Sequence, residues 1–120
     1  MFDVKKYETS SGKCPFDEFI KGILNNNKTK SVAKIFHFCN MLSEYGFEIN
    51  ERFNPRATKL IDNKNRIYEL RPDSNRILYF FDDDGRYILL HGFIKKTNKT
   101  PKTEIEKAIK EKKDYERRKR

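Results

Sequence analysis

The feature that most constrains the fold is a series of short apolar segments, separated by polar turns, between residues 59 and 101. Arg-Ile-Tyr-Glu-Leu-Arg at 66–71 is followed by Pro-Asp-Ser-Asn and then by Arg-Ile-Leu-Tyr-Phe-Phe at 76–81. A third apolar segment follows Asp84-Gly85, a dipeptide typical of hairpin turns. Short segments of this kind between turn signals predict consecutive antiparallel strands. We therefore expect a small, mainly antiparallel sheet.

Two helices are predicted before the sheet, from apolar residues spaced by three and four positions. The first begins at Pro15, whose missing N–H suits the first turn of a helix. Its apolar stripe consists of Phe16, Phe19, Ile20, Ile23 and Leu24. The second runs from about Thr29 to Tyr45 and ends at Gly46, a typical C-cap. We expect these helices to form a hairpin that packs on one face of the sheet, in an α+β fold.

The remaining segments are predicted from local signals. Residues 2–9 are expected to form a short first strand, 57–61 a further strand, and 47–56, which lack periodicity, a loop. A last helix should begin near Thr100 and Pro101. Residues 111–120, EKKDYERRKR, are expected to fray as a basic tail. The chain 1–120 is predicted to be one domain.

Charge is concentrated towards the end of the chain. Residues 95–120 contain 12 Lys and Arg against 5 Asp and Glu, which is +7 of the total formal charge of +9. This asymmetry favours an anionic partner, nucleic acid before a membrane surface, although a solvated tail explains the charge equally well. No apolar run has the length of a membrane span. The two cysteines lack metal-ligand spacing and suit free thiols in a reducing cytoplasm, where we expect the protein.

Side-chain alternation divides the predicted sheet into a charged face and an apolar face. A four-residue turn at 72–75 places Arg71 opposite Arg76, and opposed residues of antiparallel strands share a face. Glu69 belongs to the same face. The same alternation, carried through the Asp84-Gly85 turn, adds Tyr87, Leu89, His91 and Phe93 to this charged face. The other face is the better core face, and it carries Tyr68, Leu70, Ile77, Tyr79, Phe81, Ile88 and Leu90.

The opposed arginines indicate an anion site. Like charges directly opposite each other repel, whereas two guanidinium groups that share a phosphate form strong hydrogen bonds with it. The alternative is that Glu69 neutralises one arginine and Asp73 the other. On this reasoning the anion site is slightly favoured.

Two further side chains on or near this face, His91 and Lys59, each allow two interpretations. His91 is either a histidine with structural partners or an acid–base group, since imidazole titrates near neutral pH. Lys59 points to the core side if the next turn has two or four residues, and lies opposite Glu69 if the turn is Asn63-Lys64-Asn65. No residues have the spacing of a metal site, a phosphate-binding loop or a nucleophile motif.

Several of these segments resemble the RelE/ParE superfamily of toxins. The resemblance rests on Ile-Tyr-Glu-Leu-Arg at 67–71, Arg-Ile-Leu-Tyr-Phe at 76–80 and, above all, Leu-His-Gly-Phe-Ile-Lys-Lys-Thr-Asn-Lys-Thr-Pro at 90–101. Within the superfamily, the chain is similar to the phage-derived HigB-like group. The resemblance implies a RelE-like α+β fold and a ribosome-dependent endoribonuclease that cuts messenger RNA. It also implies chemistry without a metal or cofactor, in which the ribose 2′-OH attacks the adjacent phosphate.

The resemblance also implies roles for individual residues. Arg76 matches the arginine that steadies the scissile phosphate, with Arg71 beside it, and Glu69 or Lys59 assists removal of the 2′-OH proton. The candidates for protonating the 5′-oxygen are Lys95, Lys96 and His91. The candidates for contacting RNA elsewhere are Tyr87 and Phe93, by stacking on a base, and Lys99 and Lys102. A lysine in place of the family's Arg, His or Tyr is a poorer proton donor.

The partners implied by the resemblance are the ribosome, messenger RNA and a cognate antitoxin, often a helix-turn-helix protein, in a toxin–antitoxin hetero-oligomer. No membrane is expected as a partner. Two alternatives stay open at this point. One is a ParE-like poison of DNA gyrase with the same fold, and the other is a catalytically inactive basic domain that binds nucleic acid or the antitoxin.

Overall fold

The computed structural model describes residues 1–119, in which helices pack on both faces of one five-stranded sheet. In chain order the elements are β1 (Asp3–Lys6), α1 (Pro15–Asn25), α2 (Thr29–Tyr45), a 3₁₀ turn (Gly46–Glu48), α3 (Ile49–Arg52), β2 (Thr58–Asp62), β3 (Ile67–Leu70), β4 (Asn75–Phe81), β5 (Arg86–Ile94) and α4 (Lys102–Arg118). Among these described residues, no helix combines the length and apolarity that a membrane span requires.

The sheet has the strand order β1-β5-β4-β3-β2. Strands β2 to β5 pair antiparallel with their neighbours in the chain, and β1 pairs in parallel with β5 at the opposite edge. The parallel pair is possible because α1 and α2 lie between β1 and the rest of the sheet in the chain and carry it back across. The predicted α+β fold, with a mainly antiparallel sheet and a C-terminal helix, is confirmed.

One face of the sheet is covered by apolar residues of α1 and α2. Their buried side chains, together with those of β3, β4 and β5, form the larger core cluster: Phe16, Ile20, Ile23, Val32, Ile35, Phe38, Leu42, Leu70, Ile77, Tyr79, Tyr87 and Leu89. Gly92 brings α1 close to β5, because a Cβ there would lie 2.7 Å from Cε2 of Phe19 and 2.9 Å from Cδ1 of Ile77. Gly46 ends α2 with φ +57°, as its predicted cap role requires.

The other face is covered by α4, and this differs from the sequence-based expectation. Ala108 and Tyr115 pack there with the sheet residues Ile67, Leu78, Phe80, Ile88 and Leu90. The expectation that 111–120 frays is wrong for 111–118, which continue α4 with Glu111 and Tyr115 buried. Two hydrogen bonds stabilise this part of the helix. The Tyr115 OH donates to Asp82 at 3.0 Å, and Nζ of Lys112 donates to the Asn65 carbonyl at 2.5 Å. Residue 120 lies outside the described part.

A β-bulge at Leu90 overturns the predicted alternation of β5. Leu78 pairs with His91, but the next residue of β4, Tyr79, pairs with Leu89. The extra residue in β5 reverses the faces of everything before it. Tyr87 and Leu89 therefore pack against α1 and α2 rather than with Arg76, and Ile88 and Leu90 pack against α4. His91 and Phe93, which follow the bulge, do share the face of Arg76 as predicted.

The predicted loop at 47–56 is wrong, because its first half is helical. Ile49 begins the one-turn helix α3 and is fully buried, so it anchors the segment against the core. Asn50 then exchanges two hydrogen bonds with the backbone of Thr58, at 2.9 and 3.0 Å, and fixes where β2 begins. A four-residue helix is too short to produce a periodic signal in the sequence.

Candidate active site

Three cationic side chains meet where the β3–β4 turn adjoins the end of β5. The pairs Glu69–Leu78 and Leu70–Ile77 set a register that, continued by one residue, brings Arg71 opposite Arg76 as predicted. The turn between them closes with a hydrogen bond from the Asn75 N–H to the Pro72 carbonyl, at 3.1 Å. The Lys95 N–H donates to the Ser74 carbonyl at 2.7 Å. The chain after β5 is thereby held against the same turn.

These side chains line an open cavity of about 360 Å³. Its wall contains five cationic residues, namely Lys34, Arg56, Arg71, Arg76 and Lys95. It contains one carboxylate, Asp73, whose Oδ1 accepts from Nζ of Lys34 at 2.6 Å. The cavity therefore keeps a strong positive charge after its internal ion pair is counted, and it suits an anion.

Glu69 holds the two arginines from beneath this cavity. Its side chain is 1% exposed, and Oε2 accepts from Nε of Arg71 at 3.0 Å and lies 3.7 Å from Nε of Arg76. Oε1 accepts from the Thr100 hydroxyl at 2.5 Å. Both carboxylate oxygens are thus engaged. Glu69 therefore neutralises part of the charge of both arginines, as one sequence-based alternative predicted, whereas the Asp73 carboxylate pairs with Lys34 instead of an arginine.

Arg76 is nearly buried, and one of its two terminal nitrogens is committed to the backbone. Its Nη1 donates to the carbonyls of Asp73, at 2.7 Å, and Asn75, at 2.8 Å. Burial lowers the pKa of the Arg76 guanidinium, nearby Glu69 offsets this by raising it, and Arg71 lowers it further. Within residues 1–119, no acceptor is bound to Nη2 of Arg76 or to either terminal nitrogen of Arg71. These are the donors that remain for an anion in the cavity.

His91 is on the predicted face but is not at the cavity. It is 2% exposed and lies between two carboxylates of α4, with Nδ1 2.6 Å from Oε1 of Glu111 and Nε2 2.9 Å from Oε1 of Glu104. Of the two alternatives for His91, these contacts support the histidine with structural partners. Its two partners give it the structural role of fastening α4 to β5. Among the described residues, no cluster of His, Cys, Asp and Glu is arranged to hold a metal ion.

Three predicted lysines lie at different distances from the centre of the site. Lys59 pairs with Glu69 across β2 and β3, so it faces the charged side and the core-facing alternative is wrong. Lys99 lines a small cleft that also contains Glu69, Arg76 and Thr100 and adjoins the cavity. Lys96 lines a separate surface depression beside Phe19 and Phe93.

The candidates for contacting RNA are also dispersed. Phe93 is half-buried and borders both the small cleft and the depression of Lys96. Lys102 is exposed at the first turn of α4. Tyr87 is 1% exposed and packs in the core beneath Phe2 and Phe47, so its ring has no free face for a base. The bulge at Leu90 turns Tyr87 into this core, so the prediction that Tyr87 stacks on a base is wrong.

Three residues of the site escaped sequence-based prediction. Lys34 lies on the polar side of α2, Arg56 lies in an irregular segment, and Thr100 precedes α4. In the sequence, Lys34 and Arg56 cannot be distinguished from ordinary charged residues of the protein surface. Thr100 carried a signal, since it was expected to cap the last helix, but its hydroxyl binds Glu69 instead of the helix.

Comparison with known proteins assigns the chain to a family. A search of curated proteins finds no match. The family model described as Phage derived protein Gp49-like (DUF891) matches residues 23–113. The matched region extends from α1 to α4 and includes all the cationic residues of the cavity. The chain therefore belongs to the Gp49-like family of phage-derived proteins, which is a RelE/toxin-like group.

Proposed function

We propose that this protein is the toxin of a type II toxin–antitoxin system, of the HigB-like kind, and that it cuts messenger RNA on the ribosome. The observation that carries the proposal is the pair Arg71 and Arg76, held by one buried carboxylate at the wall of a cationic cavity. Glu69 supplies only one negative charge against these two arginines, and Lys34, Arg56 and Lys95 add positive charge to the same wall, so the cavity still attracts an anion. A backbone phosphate fits the unoccupied guanidinium donors in charge and geometry.

In the proposed reaction, the ribose 2′-oxygen attacks the adjacent phosphorus while the bond from phosphorus to the 5′-oxygen breaks. The products are a 2′,3′-cyclic phosphate and a 5′-hydroxyl. Negative charge grows on the phosphoryl oxygens, where Arg71 and Arg76 stabilise it without having to reorganise. Lys95 in the same wall donates the proton that the 5′-oxygen takes up. The 2′-OH proton passes to solvent at the open side of the cavity.

Glu69 acts in this proposal as a positioning residue rather than as the base. A general base must come within hydrogen-bond reach of the proton it removes, and the Glu69 carboxylate is buried with both oxygens engaged. Its contribution is to hold the Nε side of both guanidinium groups, which leaves Nη2 of Arg76 and both terminal nitrogens of Arg71 for the substrate. The partner that we propose for this toxin is an antitoxin encoded by the neighbouring gene, a protein of the helix-turn-helix type.

The test compares RNA cleavage by wild type, Arg71→Ala, Arg76→Ala and the control Arg52→Ala. Arg52 is an exposed arginine on α3, outside the cavity, so the control loses the same charge. RNA 5′ ends are mapped in a translating extract, and thermal unfolding is recorded for each protein. Wild type and Arg52→Ala should give breaks within codons, and each cavity variant should cut about 10²–10³ times more slowly, as loss of one charge-stabilising donor does.

The proposal fails if folded Arg71→Ala and Arg76→Ala cut at the wild-type rate. It also fails if induction of the wild type arrests growth without RNA breaks, and linearised DNA would then identify a gyrase poison instead. Absence of both growth arrest and breaks would leave only a binding domain.

A further inference from the structure

Helix α4 has its charges sorted between two faces. The sequence of the helix is mixed, with seven Lys and Arg and five Asp and Glu in Lys102–Arg118. Three of the acidic side chains bind other groups of the protein. Glu104 and Glu111 contact His91, and Asp114 accepts from Tyr7 at 2.7 Å. Folding therefore removes most of the negative charge from the outer surface of the helix.

The outer surface is consequently a cationic stripe, which we define as Lys102, Lys110, Lys113 and Arg117 with Glu106 between them. All five are exposed, and their spacing of three and four residues puts them on one side of the helix. The stripe is about 22 Å long, at 1.5 Å per residue. In residues 1–119, the three lysines of the stripe make no ion pair.

Such an arrangement costs stability in isolation. Lys113 lies three residues from Lys110 and four from Arg117, and like charges at those spacings on a helix repel. Glu106 lies among the four cations and Arg117 also pairs with Asp114, so the compensation is partial and leaves Lys110 and Lys113 next to each other. The repulsion is relieved when a polyanion lies along the helix, which also releases counterions.

The stripe is continuous with the candidate active site. Lys95 lines the cavity, and Lys99 lines the cleft next to it, where Arg76 and Glu69 also lie. Lys99 is followed three residues later by Lys102, the first residue of the stripe. A basic track thus leads from the proposed position of the scissile phosphate to the far end of α4.

We propose that the cationic stripe of α4 binds the phosphate backbone of folded RNA, outside the strand that is cut. This rests on the proposed function for the choice of RNA. Lysine heads on flexible stems suit phosphate contacts, which position a protein without reading sequence. The stripe contains no aromatic or large apolar side chain, and such side chains are the usual anchors of a protein interface. An extended polyanion therefore fits it better than a partner protein.

The test uses two triple variants that change the net charge equally. The stripe variant is Lys102→Glu/Lys110→Glu/Lys113→Glu. The control is Lys21→Glu/Lys28→Glu/Lys30→Glu, which reverses three exposed lysines of α1, α2 and their connection. The probe is a fluorescent RNA hairpin with a stem of about 16 base pairs. Its anisotropy gives the Kd over a range of KCl concentrations.

The stripe variant should lower the slope of log Kd against log[KCl] by about 3, one for each lost phosphate contact. The control should bind within about twofold of wild type at 0.15 M salt, where charges more than about 8 Å apart are screened. Equal loss in both triples, or no loss in the stripe variant, overturns the proposal. If only the stripe variant loses the hairpin but the wild type makes no RNA breaks, the surface stands and the proposed cleavage fails.

Discussion

Replacing Glu69 by glutamine should destabilise the protein through the two arginines that it holds. Glutamine keeps the shape of the side chain and can still meet Thr100 and Arg71. It removes the negative charge that lies 3.0 Å from Nε of Arg71 and 3.7 Å from Nε of Arg76. Both guanidinium groups stay charged, because arginine does not deprotonate in proteins.

The size of the effect follows from how buried each partner is. Loss of one member of a buried ion pair typically costs about 3–5 kcal/mol. The Arg71 side chain is 26% exposed, so water recovers part of its loss, while Arg76 retains the carbonyls of Asp73 and Asn75. We therefore expect about 2–3 kcal/mol. With an unfolding entropy of about 2.1 cal/mol/K per residue, this lowers Tm by about 8–12 °C.

The assay is urea unfolding followed by circular dichroism, with a thermal scan of the same samples. Glu106→Gln is the matched control, since it makes the same chemical change at an exposed position of α4. It should stay within about 0.5 kcal/mol of wild type. Similar small values for both variants would refute the reasoning, because Glu69 would then not be restraining two buried charges.

Two further predictions concern packing and pH. Gly92→Ala should cost about 1–3 kcal/mol in urea unfolding, because its Cβ would overlap Phe19 and Ile77, whereas Gly22→Ala meets nothing and should stabilise α1 by up to about 1 kcal/mol. Hydrogen bonds from Tyr7 and then Arg118 lower the pKa of Asp114 to about 2. A lowered pKa means that its stabilising contribution is present above about pH 4 and is lost towards pH 2, so the Tm difference between wild type and Asp114→Asn should shrink over that range. Equal destabilisation by both alanines, or a constant Tm difference, would contradict these expectations.

The elements that the sequence predicted well are those whose signals are local. Pro15 and Gly46 mark helix ends through their own backbone requirements, and the turn at 72–75 fixes which residues of its hairpin are opposed. The opposition of Arg71 and Arg76 followed from that turn alone. These features depend on a few neighbouring residues, so one sequence suffices to find them.

The failures arise where the outcome depends on packing between distant segments. Most of β5 is apolar and buried on both faces, so alternation could not set its register, and nothing local marks the extra residue at Leu90. The burial of His91 depends on Glu104 and Glu111, whose helix was expected to end in a frayed tail. Lys34 joins the cavity only because α2 lies beside the β3–β4 turn, where it meets Asp73.

The burial of both sheet faces determines where a reaction can take place. An open charged sheet face was expected to carry the reaction, but α4 closes that face and α1 and α2 close the other. The donors left free are therefore those at the end of the sheet, where the β3–β4 turn and the residues after β5 leave a gap. Closure also buries Glu69, which changes it from an exposed base into the residue that orients two arginines. Most of the donors in the wall of this site are cationic, and its carboxylate, Asp73, is paired with Lys34. Charge stabilisation rather than a carboxylate base must therefore account for most of its proposed catalytic effect.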